Sequence, residues 1–384
     1  MIYQCKNCAT ALRFNPQKGL LECDACGSAY QLTEYEEPDT ADGKIRLELY
    51  SCTACGAKLA VNGTECSSFC SYCGQPTVIY DRVSDVKRPD CIIPFRVSKE
   101  EAVDLIRKQL SKGPFIADDI KNFEAEQVRG IYIPFQLYDV NYTDSQFWCG
   151  KIDSFDTYHM RKAKVLFHDL TLDASKQLND DLTRHLEPYD TSKLVPFHSA
   201  YLSGFYANCF DYTAKELENE VKYRCRNLVN NKILKTLPNP EEQHLRETYP
   251  YHTILDSKYA MLPVWFMTFR HKEVPYTFVV NGQTKKVVGA VPYSKKKAYS
   301  YLGILTAILS SLAFLLLHIL FSLLRIETVF DIIVREWVNW FVVLVACFIG
   351  IWEAGNMKIK KINKHINRTK ESTLQHFAKN RQEE

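Results

Sequence analysis

Two sets of four cysteines with identical spacing stand near the start of the chain. The first set is Cys5, Cys8, Cys23 and Cys26, and the second is Cys52, Cys55, Cys70 and Cys73. Each cysteine of the second set follows its counterpart by 47 residues (52 − 5 and 73 − 26 agree). The pattern indicates a tandem duplication of one module, and the separation of its two Cys-x-x-Cys pairs is close to that of a four-cysteine zinc ribbon.

The spacing predicts two structural zinc ions, one in each module. Each Cys-x-x-Cys turn brings two thiolates to one metal, and four sulfurs complete a tetrahedron without an open position. Gly27, Gly56 and Gly74, directly after the second cysteine of their turns, allow the left-handed backbone expected there. Modules of about 25 residues need a metal to fold. Disulfides or a thioredoxin-like redox pair are the alternatives, which the absence of an export signal and of a βαβ pattern disfavours.

The charge of the two modules bears on their partners. Residues 1–80 contain six Lys or Arg and nine Asp or Glu, a net charge of −3. Each Zn²⁺ bound by four thiolates adds 2 − 4 = −2, so two occupied modules sum to about −7. Nucleic-acid affinity comes mainly from Lys and Arg at phosphates. The sequence therefore favours protein partners over nucleic acid, and a membrane-tethered nucleic-acid-binding regulator is the alternative.

Two apolar segments near the end of the chain predict a transmembrane hairpin. Residues 298–324 carry no formal charge, and as a helix they would span about 40 Å, enough to cross the hydrocarbon layer. Residues 329–352 are predicted as the second helix, with Trp337 and Trp352 suited to the two interfaces. An amphipathic helix lying in the membrane plane is the alternative for this second segment.

Lysine and arginine predict the orientation of the hairpin. Lys295, Lys296 and Lys297 precede the first segment, whereas the connection holds only Arg325 and Arg335. The tail 354–384 carries eight Lys or Arg and three Glu, a net of +5. Both termini are therefore expected in the cytoplasm. The tail offers a contact for anionic lipid, or it serves only as positive-inside charge.

The remaining residues predict a multidomain chain. Residues 1–32 and 49–80 are the zinc ribbons, residues 33–48 an acidic linker, and residues 83–292 a cytoplasmic α+β domain with an antiparallel sheet. Ser98 and Glu101 form the capping box of a predicted helix. The domain has no His-Glu-x-x-His, Gly-x-Ser-x-Gly or Walker-type motif. We expect no enzymatic activity, with an unrecognised site in this domain as the alternative.

Four phrases carry a resemblance that covers nearly the whole chain. They are "IIPFRVSKEEA", "IYIPFQLYD", "EPYDTSKLVPFHSAYLSGFYA" and "LPVWFMTFRHKEVPYTFVVNGQTKKVVG". In these phrases and in the order of its parts, the chain resembles bacterial membrane proteins with a transcription-factor-IIB-type zinc ribbon. Such proteins are often mislabelled primosomal helicase-like. The helicase label does not fit, since no nucleotide-binding loop is present. The resemblance implies a setting among SPFH-domain or phage-shock-like membrane proteins, and hence a scaffold or adaptor for protein partners at the membrane.

Overall fold

The computed structural model describes twelve parts of the chain. They are residues 3–36, 43–53, 56–61, 70, 78–111, 128–152, 155–176, 180–271, 274–289, 294–323, 344–346 and 348–360. Cys55 and Cys73 of the second quartet lie outside these residues, as do residues 329–343 of the predicted second transmembrane helix and residues 361–384 of the basic tail. The described strands form one sheet of three strands and one of 12.

The small sheet lies beside the first cysteine quartet, whose residues are in the turns next to its strands. It consists of β1 (Arg13–Asn15), β2 (Leu20–Glu22) and β3 (Ala29–Tyr30), paired antiparallel. Leu12, Phe14 and Leu21 are buried in the same apolar cluster as residues of the central domain. The first module therefore shares a core with the body of the protein.

The large sheet is centred on one long strand, β8 (Val128–Ile152). Its other strands are β4 (Lys44–Cys52), β5 (Lys58–Val61), β6 (Val78–Lys87), β7 (Cys91–Ile92), β9 (Phe155–Asp173), β10 (Val195–Pro196), β11 (Tyr206–Ala207), β12 (His244–Thr248), β13 (Tyr251–His271), β14 (Val274–Asn281) and β15 (Val287–Gly289). Neighbouring strands pair in the order β10-β7-β13-β8-β11-β5-β4-β6. In addition, β9 and β12 pair with β8, β14 pairs with β13, and β15 pairs with β14. Most pairs are antiparallel, whereas β11–β8 and β13–β7 are parallel.

The second cysteine module contributes its strands to this large sheet. β4 pairs with β6 from Lys44 to Cys52, and β5 pairs with β11 of the central domain. β4 begins at Lys44, inside the segment 33–48 predicted as linker. Residues 44–48 are therefore strand, and backbone hydrogen bonding connects the second module to the central domain.

Four helices are described in full among residues 3–323. They are α1 (Lys99–Ser111), α2 (Asp180–Leu186), α3 (Ala214–Leu234) and α4 (Lys295–Leu323). The predicted capping box is present at α1, where the Ser98 N–H donates to Glu101 Oε2 (3.3 Å) and the Glu101 N–H donates to Ser98 Oγ (3.2 Å). These bonds satisfy two backbone donors that the first helical turn leaves unpaired.

α1 and α3 each cover a different part of the large sheet. α1 buries Ile106 and Leu110 in the core shared with the first cysteine module. α3 buries Val221 and Cys225 in an apolar cluster with residues of β8 and β9, in which Tyr142 of β8 is also fully buried. Each fully buried aliphatic side chain contributes about 1.5–3 kcal/mol of transfer free energy. The two cores lie along the same strand, β8.

α4 contains the one candidate membrane span found in the described part of the chain. Its window Lys296–Leu316 is long and apolar enough to cross a bilayer, and only 17% of it is buried. The buried residues lie four apart on one stripe: Ala298, Leu302, Thr306 and Ser310. The described residues thus supply one candidate span, and the predicted two-helix transmembrane hairpin is not supported by a second one.

Helical residues 348–360 lie alongside the start of α4. The Tyr299 hydroxyl donates to Asn356 Oδ1 (3.2 Å), and the rings of Tyr299 and Trp352 are 6.2 Å apart. A Cβ placed on Gly355 would lie 2.2 Å from Leu302 Cδ1, so a larger residue there would require the Leu302 side chain to shift. Because residue 352 lies near 303 and residue 356 near 299, the two helical segments are antiparallel.

Candidate metal centre

Two backbone hydrogen bonds close each Cys-x-x-Cys turn of the first module. The Ala9 N–H donates to the Cys5 carbonyl (2.8 Å), and the Cys5 N–H donates to the Thr10 carbonyl (2.8 Å). The second turn repeats both bonds at equivalent positions, from Gly27 N–H to Cys23 O (2.9 Å) and from Cys23 N–H to Ser28 O (2.9 Å). Gly27 has the predicted positive φ of 72°, and Ala9 takes the same conformation at 59°. The backbone therefore presents both sulfurs of each turn to one point.

The four sulfurs of the first quartet meet at that point. All four Sγ atoms lie within 4.8 Å of one another, with Cys5–Cys26 at 3.5 Å and Cys8–Cys23 at 3.4 Å. A tetrahedral zinc site with bonds of about 2.3 Å has sulfurs about 3.8 Å apart. All four cysteines are free thiols, and Cys5 and Cys23 are buried. The residues present fit a metal ion bound by four thiolates.

Hydroxyl groups surround the sulfurs of this quartet. Tyr30 Oη lies 3.3 Å from Cys5 Sγ, Thr10 Oγ1 3.4 Å from Cys8 Sγ, and Ser28 Oγ 3.2 Å from Cys26 Sγ. The Tyr30 hydroxyl is the main reason that the pKa of Cys5 is lowered to about 6. The Thr10 hydroxyl, in the same way, is the main cause of the lowered pKa of Cys8. Hydrogen bonds to a thiolate favour the charged form, which is the form that binds metal.

Sequence reasoning missed these hydroxyl groups, although a signal was available. Thr10 and Ser28 each stand two residues after the second cysteine of a turn. At that position the hydroxyl lies beside the sulfur of the same turn. A hydroxyl residue two positions after a zinc-ribbon cysteine thus predicts a hydrogen bond to its sulfur.

Half of the second quartet is described. Cys52 and Cys70 are each 2% exposed and lie in one apolar cluster. The Gly56 N–H donates to the Cys52 carbonyl (2.8 Å), and the Cys52 N–H donates to the Ala57 carbonyl (2.9 Å). Gly56 has φ of 74°, as predicted. The turn at Cys52 therefore has the same backbone as the two turns of the first module.

The first module is docked on the segment between β10 and β11. The Phe14 N–H donates to the Ser203 carbonyl (3.0 Å), and the Tyr3 and Ser199 hydroxyls are 2.6 Å apart in a buried contact. The rings of Phe14 and Tyr201 meet edge to face at 5.0 Å. The four-cysteine pattern carries no information about this contact. It holds the metal site in a defined position on the central domain.

Among the described residues of the central domain, Asp144 is the carboxylate residue that is buried, at 3% exposed. It accepts hydrogen bonds from Tyr142 Oη (3.1 Å), Gln146 Nε2 (2.6 Å), Thr248 Oγ1 (2.9 Å) and the Tyr249 N–H (3.0 Å). These donors come from β8, from β12 and from the residue after β12. The carboxylate therefore joins two strands, and its oxygens are already engaged by protein donors.

His198 is one of the seven histidines in residues 83–292. Its Nδ1 accepts a hydrogen bond from the Ala200 N–H (3.1 Å), and its Nε2 lies 3.3 Å from the Tyr35 carbonyl. Both ring nitrogens thus contact the backbone. In the described part of the chain, the first quartet is the group of residues arranged to hold a metal.

Comparison with known proteins gives one extensive similarity. The chain is 29% identical over 323 residues to the Bacillus subtilis (strain 168) protein named "Uncharacterized protein YdjG". The matched region covers 78% of this chain and 92% of that protein. No protein-family model and no solved structure match the chain. The similarity runs through most of both chains.

Proposed function

We propose that this chain is a non-enzymatic scaffold, held in a membrane by its C-terminal helices and organised for protein partners by structural zinc. The observation that carries the proposal is the first quartet, in which four sulfurs lie within 4.8 Å of one another. Four thiolates fill every position of a tetrahedral zinc site, so the bound ion has no position for water or substrate. Its role is then to hold the small sheet together against the central domain.

A second structural zinc at Cys52, Cys55, Cys70 and Cys73 belongs to the same proposal. Its support is the backbone of the Cys52 turn, which repeats the two hydrogen bonds of the first module. The burial of both Cys52 and Cys70 agrees with it, because their counterparts Cys5 and Cys23 are the buried cysteines of the first quartet. In the first module the ion would connect two turns whose strands have only two or three residues.

The apolar outer surface of α4 supports the membrane anchor. Ile304, Ile308 and Leu315 are 62%, 59% and 54% exposed. In water such a surface costs about 25 cal/mol for each Å² of apolar area, whereas lipid removes that cost. The antiparallel contact of residues 348–360 with the start of α4 supports a hairpin whose second span is 329–352. Small and hydroxyl side chains on the buried stripe suit close packing of helices in lipid.

The proposed topology places both termini in the cytoplasm. The three lysines that precede α4 and the basic tail that follows the hairpin support it through the positive-inside rule. A reducing compartment for the eight metal-binding thiols is consistent with the same topology. The tail would then lie near anionic lipid headgroups.

Protein partners suit the charge of the ribbons better than nucleic acid does. The net of −7 for the two occupied ribbons would repel phosphates at long range. A hidden enzyme is less well supported, because protein hydrogen bonds already engage the oxygens of the buried Asp144. The resemblance described above makes a membrane-stress or SPFH-type assembly the first setting in which to look.

The test combines metal analysis, fractionation and crosslinking. Purified full-length protein should contain two zinc ions per chain and should stay with membranes after carbonate extraction. Crosslinking in native membranes, followed by mass spectrometry, should yield partners that are lost from a Cys23→Ser variant, while a Cys149→Ser control retains them. A soluble chain, or zinc at one or none per chain, would contradict the proposal. Salt-sensitive binding of DNA or RNA would favour the alternative.

A further inference from the structure

β9 is an edge strand of unusual length. It extends over 19 residues, and β8 is its only strand partner in the described part of the protein. Typical strands have about 5–6 residues, and edge strands are usually kept short or covered because their outer N–H and C=O groups can pair with another chain. A long edge of this kind is a template for one more strand.

Apolar side chains lie on the open face of this edge. Tyr158, Met160 and Leu166 are 69%, 51% and 52% exposed. They share one face because successive side chains of a strand alternate. Met160 pairs with Phe147 of β8, which is 41% exposed on the same face. Adjacent exposed apolar side chains of this size mark an interaction site more often than a passive surface.

The position of the edge favours a protein partner over lipid, a step that depends on the membrane anchor proposed above. α4 follows β15 in the chain. Gly289 of β15 lies in the same row across the sheet as Val128, the first residue of β8, with β14 and β13 between them. Met160 pairs with Phe147, which is 19 residues further along β8 (147 − 128). At about 3.3 Å per residue this is roughly 60 Å of strand. The edge therefore stands away from the anchor.

The edge is complementary to itself in the antiparallel register centred on Met160. Around a two-fold axis at Met160, residue 160 + k opposes residue 160 − k. Asp156 then opposes Lys164 and Tyr158 opposes Lys162, each twice, and these four side chains are exposed on the same face as Met160. Opposite charges directly across a strand pair contribute about 0.2–1 kcal/mol each, and Lys over Tyr adds a cation–π contact. An axis at Ala163 would instead oppose Lys162 to Lys164 twice, which repels.

We propose that β9 pairs with β9 of a second copy of this chain, antiparallel and centred on Met160. The pairing would make one continuous sheet across two protomers, with the exposed aromatic and methionine side chains of the two copies side by side on its open face. Because the two-fold axis reverses β8, the two anchors would lie at opposite ends of this sheet, and two chains in one membrane pair with their strands running along its plane. Lys162 and Lys164, which on an isolated edge would discourage pairing, each acquire a partner in this register. They would therefore select the register rather than prevent association.

Cysteine crosslinking in membranes tests this register. The parent is the full-length Cys149→Ser chain, because Cys149 is a partly exposed thiol on the adjacent strand. Met160→Cys should form a disulfide-linked homodimer under mild oxidation, since opposed Cβ atoms lie about 4.5–5.5 Å apart. Lys164→Cys alone should not, because its copies would be eight residues apart (164 − 156), about 26 Å. Chains with Asp156→Cys mixed with chains with Lys164→Cys should crosslink.

A charge exchange provides a second readout that does not depend on oxidation. Asp156→Lys should lower the dimer fraction of detergent-solubilised protein about tenfold, and adding Lys164→Asp in the same chain should restore it. A Met160→Cys chain that stays monomeric with normal zinc content and membrane retention would overturn the proposal, as would equal crosslinking of Lys164→Cys. If the chain proved soluble but still crosslinked only at residue 160, the proposed membrane anchor would be refuted and the proposed pairing of β9 would stand.

Discussion

The two cysteine modules have the same ligand spacing but different surroundings. The first has a three-stranded sheet of its own, whereas the second contributes β4 and β5 to the 12-stranded sheet. The first surrounds its sulfurs with the hydroxyls of Thr10, Ser28 and Tyr30. Adding 47 to those positions gives Ala57, Gln75 and Thr77, so the first two hydroxyls have no counterpart in the second module.

Cysteine spacing therefore predicts the metal site but not the extent of the domain around it. The first module contacts the body through side chains and a few loop hydrogen bonds, such as the buried pair Tyr3–Ser199. The second is connected through continuous strand pairing between β4 and β6. We therefore expect the first to respond to changes around its sulfurs and the second to respond together with the large sheet.

Removal of one ligand from each module should have the largest effect. Cys23→Ser and Cys52→Ser should each lower the zinc content from two ions per chain to one. The cost in local stability should exceed about 5 kcal/mol, since structural zinc binding is worth more than that in isolated ribbons. Hydrogen exchange should quicken in β1–β3 after Cys23→Ser and in β4 and β6 after Cys52→Ser. Cys149→Ser is the control, and two zinc ions in Cys52→Ser would refute the second site.

Removal of one hydroxyl should distinguish the modules more finely. Tyr30→Phe deletes the group 3.3 Å from Cys5 Sγ and should weaken zinc binding in the first module by about 10–100-fold, as for other groups that support metal ligands. Tyr35→Phe is the matched control, because its hydroxyl donates to the Gln4 carbonyl instead. Competition with a chelator measures both, and equal affinities in the two variants would count against a role for Tyr30.

The buried contact between Tyr3 and Ser199 should contribute to the docking of the first module. Tyr3→Phe removes the hydroxyl 2.6 Å from Ser199 Oγ and should cost about 1–2 kcal/mol. The effect should be confined to opening of the small sheet, measured by native-state hydrogen exchange at β1–β3 with zinc still bound. If β4 and β6 lost protection equally, the two modules would unfold as one unit and the contrast drawn above would fail.

Substitution of the residue that follows the second cysteine of a Cys-x-x-Cys turn should have the smallest effects. Gly56 and Ala9 occupy equivalent turns with φ of 74° and 59°. Gly56→Ala should destabilise the second module by about 1 kcal/mol because an L side chain disfavours the left-handed region, although no atom of the described residues is recorded within 4 Å of the added Cβ. Ala9→Gly should stabilise the first module by less than about 1 kcal/mol. Changes of the same sign in zinc-retention assays would contradict this reasoning.

Local sequence signals predicted the features that local chemistry determines. The capping box at Ser98 and the left-handed glycines at Gly27 and Gly56 were confirmed. The first quartet could be predicted because tetrahedral thiolate binding demands its spacing. The junction of β4 and β5 with the central sheet could not, since the partner of a strand is not encoded in the strand itself. Asp144 was missed for a similar reason, because Thr248 is 104 residues away.

β8 passes through all three apolar cores without an interrupting loop. Val128 belongs to the core beneath the first module, Phe135 to the middle core, and Val140 and Tyr142 to the core under α3. β8 has no loop along its length, although its pairing with β9 shifts register between Tyr138 and Val140, so a displacement at Ile152 would be passed toward the far end through the paired backbone. A partner bound near Ile152 would in this way act on the packing around Val128, in the core beneath the first cysteine module.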